Sequence, residues 1–128
     1  YKLFVLDVGL LGAMSELPAE SILEGNDIFV EFKGALTEQY VLQQLISDTP
    51  YTPYYYGNEK ATFEQDFLIQ KAKSIVPIEV KAEQNIRSHS LKTYCEKFQP
   101  EEAVRFSTLK YKEQERMVNI PLYAVCNL

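Results

Sequence analysis

The sequence has few of the residues on which several common functional sites depend. Among its 128 residues there are two cysteines, Cys95 and Cys126, and one histidine, His89. Two cysteines cannot form a zinc cluster alone, and a histidine-based triad or zinc site would have to be built around His89. We interpret His89 as a surface or helix-start residue. The low cysteine content predicts reduced thiols in a cytoplasmic protein.

Long apolar runs and phosphate-binding loops are also missing. No apolar stretch approaches the roughly 20 residues that a membrane-spanning helix needs, so the sequence predicts no membrane segment. There is no apolar core of a secretory signal. No GxxxxGK motif followed by Ser or Thr occurs, which excludes ATP hydrolysis by that type of loop within this chain.

Basic residues are outnumbered, with 13 Lys and Arg against 18 Asp and Glu and a net charge of -5. This balance argues against a broadly basic nucleic-acid coat protein, although it leaves room for a local basic groove. Most of the basic residues follow position 70, namely Lys71, Lys73, Lys81, Arg87, Lys92, Lys97, Arg105, Lys110, Lys112 and Arg116.

The length suits one domain with a hydrophobic core, which we expect to cover residues 1–128. The chain has no initiating Met and opens in an apolar run, so we expect it to be a piece of a longer protein. The hydrophobic pattern predicts an α/β domain with a mixed sheet and helices on its faces. Strands are expected over residues 3–6, 54–56, 61–70, 75–82, 103–107 and 120–125. Helices are expected through residues 10–14, ending before Pro18, over about residues 28–47, and around residues 91–98.

Local signals refine these elements. Asp7 is expected to cap the first helix, and Gly34 offers a break in the second. Residues 57–60 and 71–74 predict tight turns, so that the second, third and fourth predicted strands form an antiparallel meander. In the last helix Leu91, Tyr94, Cys95 and Phe98 recur at helical spacing, and Ser88 or Ser90 is expected to cap its start.

Asp66, Glu79 and Lys81 are the most informative residues of the chain. Glu79 and Lys81 are two residues apart, so in a strand both side chains leave the same face, about 6.6 Å apart. One short hairpin separates Asp66 from Glu79 and can bring the two carboxylates side by side. Two carboxylates and an ammonium around one point suit Mg²⁺-assisted phosphodiester cleavage. Taken alone, Glu79 and Lys81 are equally compatible with an exposed charge pair on a strand.

Glu38 strengthens the interpretation of a shared site. On a helical wheel Leu45 falls about 20° from Glu38 and Leu42 about 40°, which places Glu38 within the apolar stripe. An inward-facing carboxylate needs compensation. A metal site would supply it, and so would a buried salt bridge to Lys81 or an Arg, or a position at a helix start. The sequence leaves these alternatives open.

The order of a helical Glu, then an Asp, then Glu-x-Lys resembles the PD-(D/E)xK nuclease superfamily, which has the restriction-endonuclease-like fold. The resemblance is carried by Glu38, Asp66, Glu79 and Lys81. More narrowly, the chain resembles the nuclease-like C-terminal domain that follows AAA-type ATPase domains in many prokaryotic proteins. Segments 2–11, 64–69, 77–81 and 120–124 support that likeness. Gln65 stands where the superfamily's name has proline, and Ser90 stands where recB-like nucleases have a Gln.

The resemblance implies a divalent cation, Mg²⁺ or Mn²⁺, held mainly by Asp66 and Glu79. The Val80 carbonyl and Glu38 would complete the shell. Lys81 would orient the attacking water or stabilise charge that builds on the phosphate. The resemblance also implies that an ATPase domain belongs to the same full-length protein.

Two hypotheses from different classes follow. The first is a metal-dependent DNA endonuclease domain, with phosphate contacts from Lys71, Lys73, Arg87 and Lys92. The second is a non-catalytic module with a nuclease fold, which binds nucleic acid or protein for the attached ATPase. Metal uptake at Asp66 and Glu79 discriminates between them. The sequence leaves the oligomeric state open, a homo-oligomer included.

Overall fold

The computed structural model describes residues 2–16, 27–57, 63–82 and 89–128, with the backbone alone for residues 27–32. The described residues form an α/β fold in which helices flank a six-stranded mixed sheet, as the sequence predicts. The helices are α1 (Val8–Met14), α2 (Asp27–Asp48) and α3 (His89–Phe98), followed by a 3₁₀ helix at Leu122–Asn127. The strands are β1 (Tyr54–Gly57), β2 (Glu64–Lys71), β3 (Ser74–Lys81), β4 (Ala103–Ser107), β5 (Lys112–Gln114) and β6 (Met117–Pro121).

The sheet has the order β1-β2-β3-β4-β6-β5. Strands β1, β2 and β3 pair in antiparallel fashion, which confirms the predicted meander. The turn between Lys71 and Ser74 is tight, and these two residues pair across it. Strand β4 pairs in parallel with both β3 and β6. A parallel pair needs a crossover, and the connection from β3 to β4 contains α3.

Alternation along β4 assigns the helices to the two faces of the sheet. Val104 belongs to the main core together with Val41 and Leu45 of α2. Its neighbour Arg105 lines a cavity with Leu91 of α3. Because successive strand residues point to opposite faces, α2 and α3 lie on opposite sides of the sheet. All five residues of β4 are buried, as expected for a central strand covered on both faces.

The predicted helices are confirmed, but the break that Gly34 offered does not occur. Asp7 caps α1, where its side chain accepts a hydrogen bond from Leu10 N at 2.8 Å. Helix α2 runs without interruption through Gly34. No helix in the described ranges is long and apolar enough to cross a membrane. The predicted cap Ser88 and the predicted turn residues 58–60 lie outside the described part of the chain.

Two strand predictions were wrong. Residues 3–6 form no strand; instead, Val5 exchanges two hydrogen bonds of 3.0 Å with the Gln39 side chain, which takes the place of a strand partner. The strand predicted over residues 120–125 begins earlier and ends at Pro121. Pro121 has no N–H to continue the ladder, and the chain turns into the 3₁₀ helix. Strand β5 escaped prediction because its three residues are polar and exposed.

The burial of β3 gives a prediction about stability. Ile78 is fully buried, whereas Ile75 on the same strand is 47% exposed. Ile78→Val should lower the free energy of unfolding by about 0.5–1.5 kcal/mol, because it removes a buried methyl group and leaves a small cavity. The matched control Ile75→Val should change it by less than about 0.5 kcal/mol. Urea denaturation of the three proteins measures this, and equal losses in both variants would contradict the assigned core.

Candidate functional site

The site forms where β2 and β3 separate. Their backbone pairing runs from Lys71 and Ser74 as far as Phe67 and Ile78. Beyond that point, hydrogen bonds from side chains of β2 to the backbone of β3 take the place of backbone pairing. Gln65 Nε2 donates to the Ile78 carbonyl at 2.7 Å, and the Val80 N–H donates to Asp66 Oδ2 at 2.8 Å.

An irregularity on the other side of β2 coincides with this change. The register between β1 and β2 shifts between Tyr54, which pairs with Leu68, and Tyr56, which pairs with Gln65. A bulge of this kind redirects side chains and is frequent beside functional sites. The Asp66 carboxylate is held by its hydrogen bond to the Val80 N–H of β3, one residue beyond Glu79.

Glu79 and Lys81 form an ion pair on β3. Lys81 Nζ lies 3.0 Å from Glu79 Oε1. Glu79 is only 2% exposed, and its second oxygen, Oε2, has no hydrogen-bond partner among the described residues. Burial raises the pKa of Glu79, while the neighbouring Lys81 ammonium opposes this rise. A buried carboxylate with one unsatisfied oxygen is uncommon in folded proteins.

Glu38 and Asp66 share a cation that belongs to the chain itself. Lys2 Nζ lies 2.9 Å from Glu38 Oε2 and 3.2 Å from Asp66 Oδ1. Burial and the charge of Asp66 raise the pKa of Glu38, against the hydrogen bond from Lys2. For Lys2, burial would lower the pKa, but its contacts with Glu38 and Asp66 outweigh that effect and raise it. The compensating partner of Glu38 is therefore Lys2.

Arg105 adds a second buried charge beside Glu79. The two residues are register partners on the parallel strands β3 and β4, so their side chains share one face of the sheet. Arg105 is 5% exposed, and its Nε has no hydrogen-bond partner among the described residues. Its positive charge lowers the pKa of Glu79 in part.

The sequence-predicted residues divide into two groups. Glu38, Asp66, Glu79 and Lys81 lie around the point where β2 and β3 separate, linked by Lys2 on one side and by the Val80 N–H on the other. Their catalytic roles stay a prediction. The predicted phosphate contacts that the structure describes are dispersed.

Lys71 and Lys73 belong to the turn at the other end of the hairpin. Lys71 lies five residues along β2 from Asp66, or about 17 Å, and pairs with Glu102 at 3.2 Å. Lys92 is exposed on α3 and lies 3.8 Å from Glu96. Arg87 lies outside the described residues. Their role in nucleic-acid binding stays a prediction.

The donor chemistry suits a hard divalent cation, since carboxylate and carbonyl oxygens are the ligands of Mg²⁺ and Mn²⁺. Among the residues that the structure describes, however, no three His, Cys, Asp or Glu side chains already stand in a metal-holding arrangement. Glu38 Oε2 and Asp66 Oδ1 contact the Lys2 ammonium, Asp66 Oδ2 accepts from the Val80 N–H, and the buried Glu79 Oε2 has no hydrogen-bond partner among the described residues. The ligand types fit a divalent cation, while in the present structure Lys2 and Lys81 neutralise the charge of the carboxylates.

Sequence reasoning missed Lys2, Gln65 and Arg105. Lys2 precedes an apolar run that resembles a strand, and its partners are far away in the sequence. Gln65 stands where the superfamily that the sequence resembles has a proline in its name, and that position gave no hint of its hydrogen bond to β3. Arg105 carried a usable signal, because a charged residue in the apolar run 103–107 must find compensation.

The raised pKa of Glu79 gives a prediction that carboxyl carbon NMR can check. Folding makes ionisation of Glu79 harder, so the folded chain keeps this proton at pH values where the unfolded chain has lost it. The contribution of Glu79 to stability therefore decreases as the pH rises from its ordinary pKa of 4.5 to the raised value. Lys81→Met should raise the pKa of Glu79 further, because burial remains and the ammonium is gone. Lys73→Met, at the exposed turn, should leave it unchanged. Identical Glu79 titrations in wild type and Lys81→Met would contradict this account.

Comparison with known proteins assigns the chain to a family. The model described as "Domain of unknown function (DUF4143)" matches residues 33–125, a range that includes Glu38, Asp66, Glu79 and Lys81. A search of curated proteins and a search of solved structures gave no match. Since the family model matches well over half of the sequence, the chain belongs to the DUF4143 family.

Proposed function

We propose that this chain is a metal-dependent nuclease domain of the PD-(D/E)xK type, which hydrolyses DNA phosphodiesters. The observation that carries the proposal is the hydrogen bond between Asp66 Oδ2 and the Val80 N–H. It sets the Asp66 carboxylate beside the Glu79–Lys81 pair where the two strands separate. That is the order and proximity of acid, acid and lysine that the resemblance implies.

Asp66 and Glu79 would hold Mg²⁺ or Mn²⁺, with the Val80 carbonyl and Glu38 completing the shell. Glu79 Oε2 supports this assignment, because it is a buried carboxylate oxygen, a possible metal ligand, without a hydrogen-bond partner among the described residues. Such an atom is costly unless something binds it. When bound, the metal would supply an activated water and neutralise charge on the phosphate.

Lys81 is the residue that this proposal places against the reacting groups. Its ammonium is held 3.0 Å from Glu79 Oε1, and its side chain is one-third exposed. It can therefore reach solvent and substrate while Glu79 fixes its direction. In this position it would orient the attacking water or stabilise charge on the phosphate. Arg105, behind Glu79, would keep positive potential at the site without touching the substrate.

Phosphate binding would begin on the face that carries α3. Lys92 and Arg116 lie, together with Glu115, around a cavity of about 520 Å³ on that face, and positive side chains around a groove attract the DNA backbone. Arg87, Lys71 and Lys73 are the further contacts that we include in the proposal. We also include the attached AAA-type ATPase, which the resemblance implies as the partner that controls cleavage.

One observation favours a second candidate, a non-catalytic module that binds nucleic acid or protein. Lys2 and Lys81 already contact the three carboxylates of the site, so their charge is largely compensated without a metal. A nuclease fold that has lost its metal could keep such pairs for stability. This candidate requires that no metal binds and that no DNA is cut.

Cleavage of supercoiled plasmid DNA in Mg²⁺ or Mn²⁺ tests the proposal. Asp66→Asn keeps the size of the side chain and an acceptor for the Val80 N–H, but removes the charge that the metal needs. We expect it to lower the cleavage rate by at least roughly 100-fold, and Lys81→Met to do the same. Glu113→Gln, an exposed carboxylate on β5, should cut like wild type. Equal nicking by wild type and Asp66→Asn, or none by wild type in either metal, would overturn the proposal.

A further inference from the structure

The position between Glu38 and Asp66 is filled by the side chain of Lys2. Its Nζ contacts one oxygen of each carboxylate, at 2.9 Å and 3.2 Å. A divalent cation bound to the same oxygens would sit at about 2.1 Å from them. The ammonium and a metal ion therefore cannot occupy this position together.

We propose that Lys2 is a tethered cation that excludes the divalent metal from the proposed site until its side chain moves away. This inference rests on the proposed function and concerns the regulation of the same site. The ammonium carries the positive charge that Glu38 and Asp66 need, and the metal must displace it to reach both carboxylates.

The backbone around Lys2 is held independently of its side chain. Val5 exchanges two hydrogen bonds with Gln39 of α2, and the Val8 N–H donates to Gln43 Oε1 at 2.9 Å. These contacts lie on the same helix as Glu38 and keep the segment in place. The Lys2 side chain can therefore leave the carboxylates without release of the segment that carries it.

An alternative position for the ammonium is close by. Lys2 Nζ lies 5.6 Å from the centre of the Tyr55 ring, a distance at which a cation is attracted to an aromatic face. The Lys2 side chain is about one-fifth exposed, so water also reaches it. Rotation of the side chain toward Tyr55 would free the oxygens of Glu38 and Asp66.

Two features distinguish a competitor from an ordinary structural salt bridge. The ammonium bridges two carboxylates from different elements, α2 and β2, and both belong to the proposed metal shell. The third carboxylate, Glu79, keeps a buried oxygen without a partner among the described residues although Lys81 is adjacent. A buried oxygen without a partner is costly, and a divalent cation at the proposed site would bind it.

Calorimetric titration of Mn²⁺ into wild type, Lys2→Met and Lys2→Arg tests the proposal. Methionine keeps the length of the side chain and removes its charge, so we expect Lys2→Met to bind Mn²⁺ at least tenfold more tightly than wild type. Lys2→Arg keeps the charge and should bind as weakly as wild type. Lys112→Met, at an exposed position of β5, is the matched control and should not change the affinity.

Thermal unfolding in chelator and in Mn²⁺ gives a second readout that does not depend on activity. Without metal, Lys2→Met should unfold at a lower temperature than wild type, because Glu38 and Asp66 then repel each other. Addition of Mn²⁺ should raise the unfolding temperature of Lys2→Met by more than it raises that of wild type.

The outcomes separate this inference from the proposed function. Equal or weaker Mn²⁺ binding by Lys2→Met overturns the inference but leaves the function standing if wild type cuts DNA. Tighter binding with no cleavage by either protein supports the inference and overturns the function. No Mn²⁺ binding by any of the proteins overturns both.

Discussion

The central constraint on this domain is the negative charge of three carboxylates near the end of the β2–β3 pairing, which the protein must neutralise. Glu38, Asp66 and Glu79 come from a helix and two strands, and each is at least half-hidden from water. Like charges at such a position repel and resist ionisation unless a cation lies between them. Lys2 and Lys81 supply the positive charge in the structure as it stands.

The strand separation is the structural means by which the site forms. In an unbroken ladder between β2 and β3 the Val80 N–H would pair with the backbone of β2. It would then not be free to hold the Asp66 carboxylate. Because Gln65 and Asp66 take over the hydrogen bonds of Ile78 and Val80, the backbone remains satisfied while the carboxylate is held in one orientation. Gln65 thus keeps β2 attached to β3 after their backbone pairing ends.

The sequence predicts most of the fold because its central elements carry strong patterns. Strand β2 alternates between more and less buried residues, whereas β3 and β4 are buried almost throughout, as their apolar runs predict. The run 3–6 has the same apolar character, yet its backbone partner is a glutamine side chain, which no local pattern reveals. Strand β5 is defined by its pairing with β6, and its three exposed polar residues carry no strand pattern.

The site could be predicted only in part. The spacing of Glu79 and Lys81 and the position of Glu38 on its helix are local properties, and they predict that these side chains lie near one another. The contacts of Lys2 depend on how the N-terminal segment crosses α2, and the buried state of Arg105 depends on the parallel pairing of β3 with β4. Both are consequences of tertiary packing.

The most direct test of the account is a crystal of the chain soaked in Mn²⁺ and measured at a wavelength where manganese scatters anomalously. The account predicts an anomalous peak about 2.1 Å from oxygens of Asp66 and Glu79, with Lys2 Nζ moved away from both Glu38 and Asp66. A map without a peak at these carboxylates, with Lys2 still bridging Glu38 and Asp66, would contradict it.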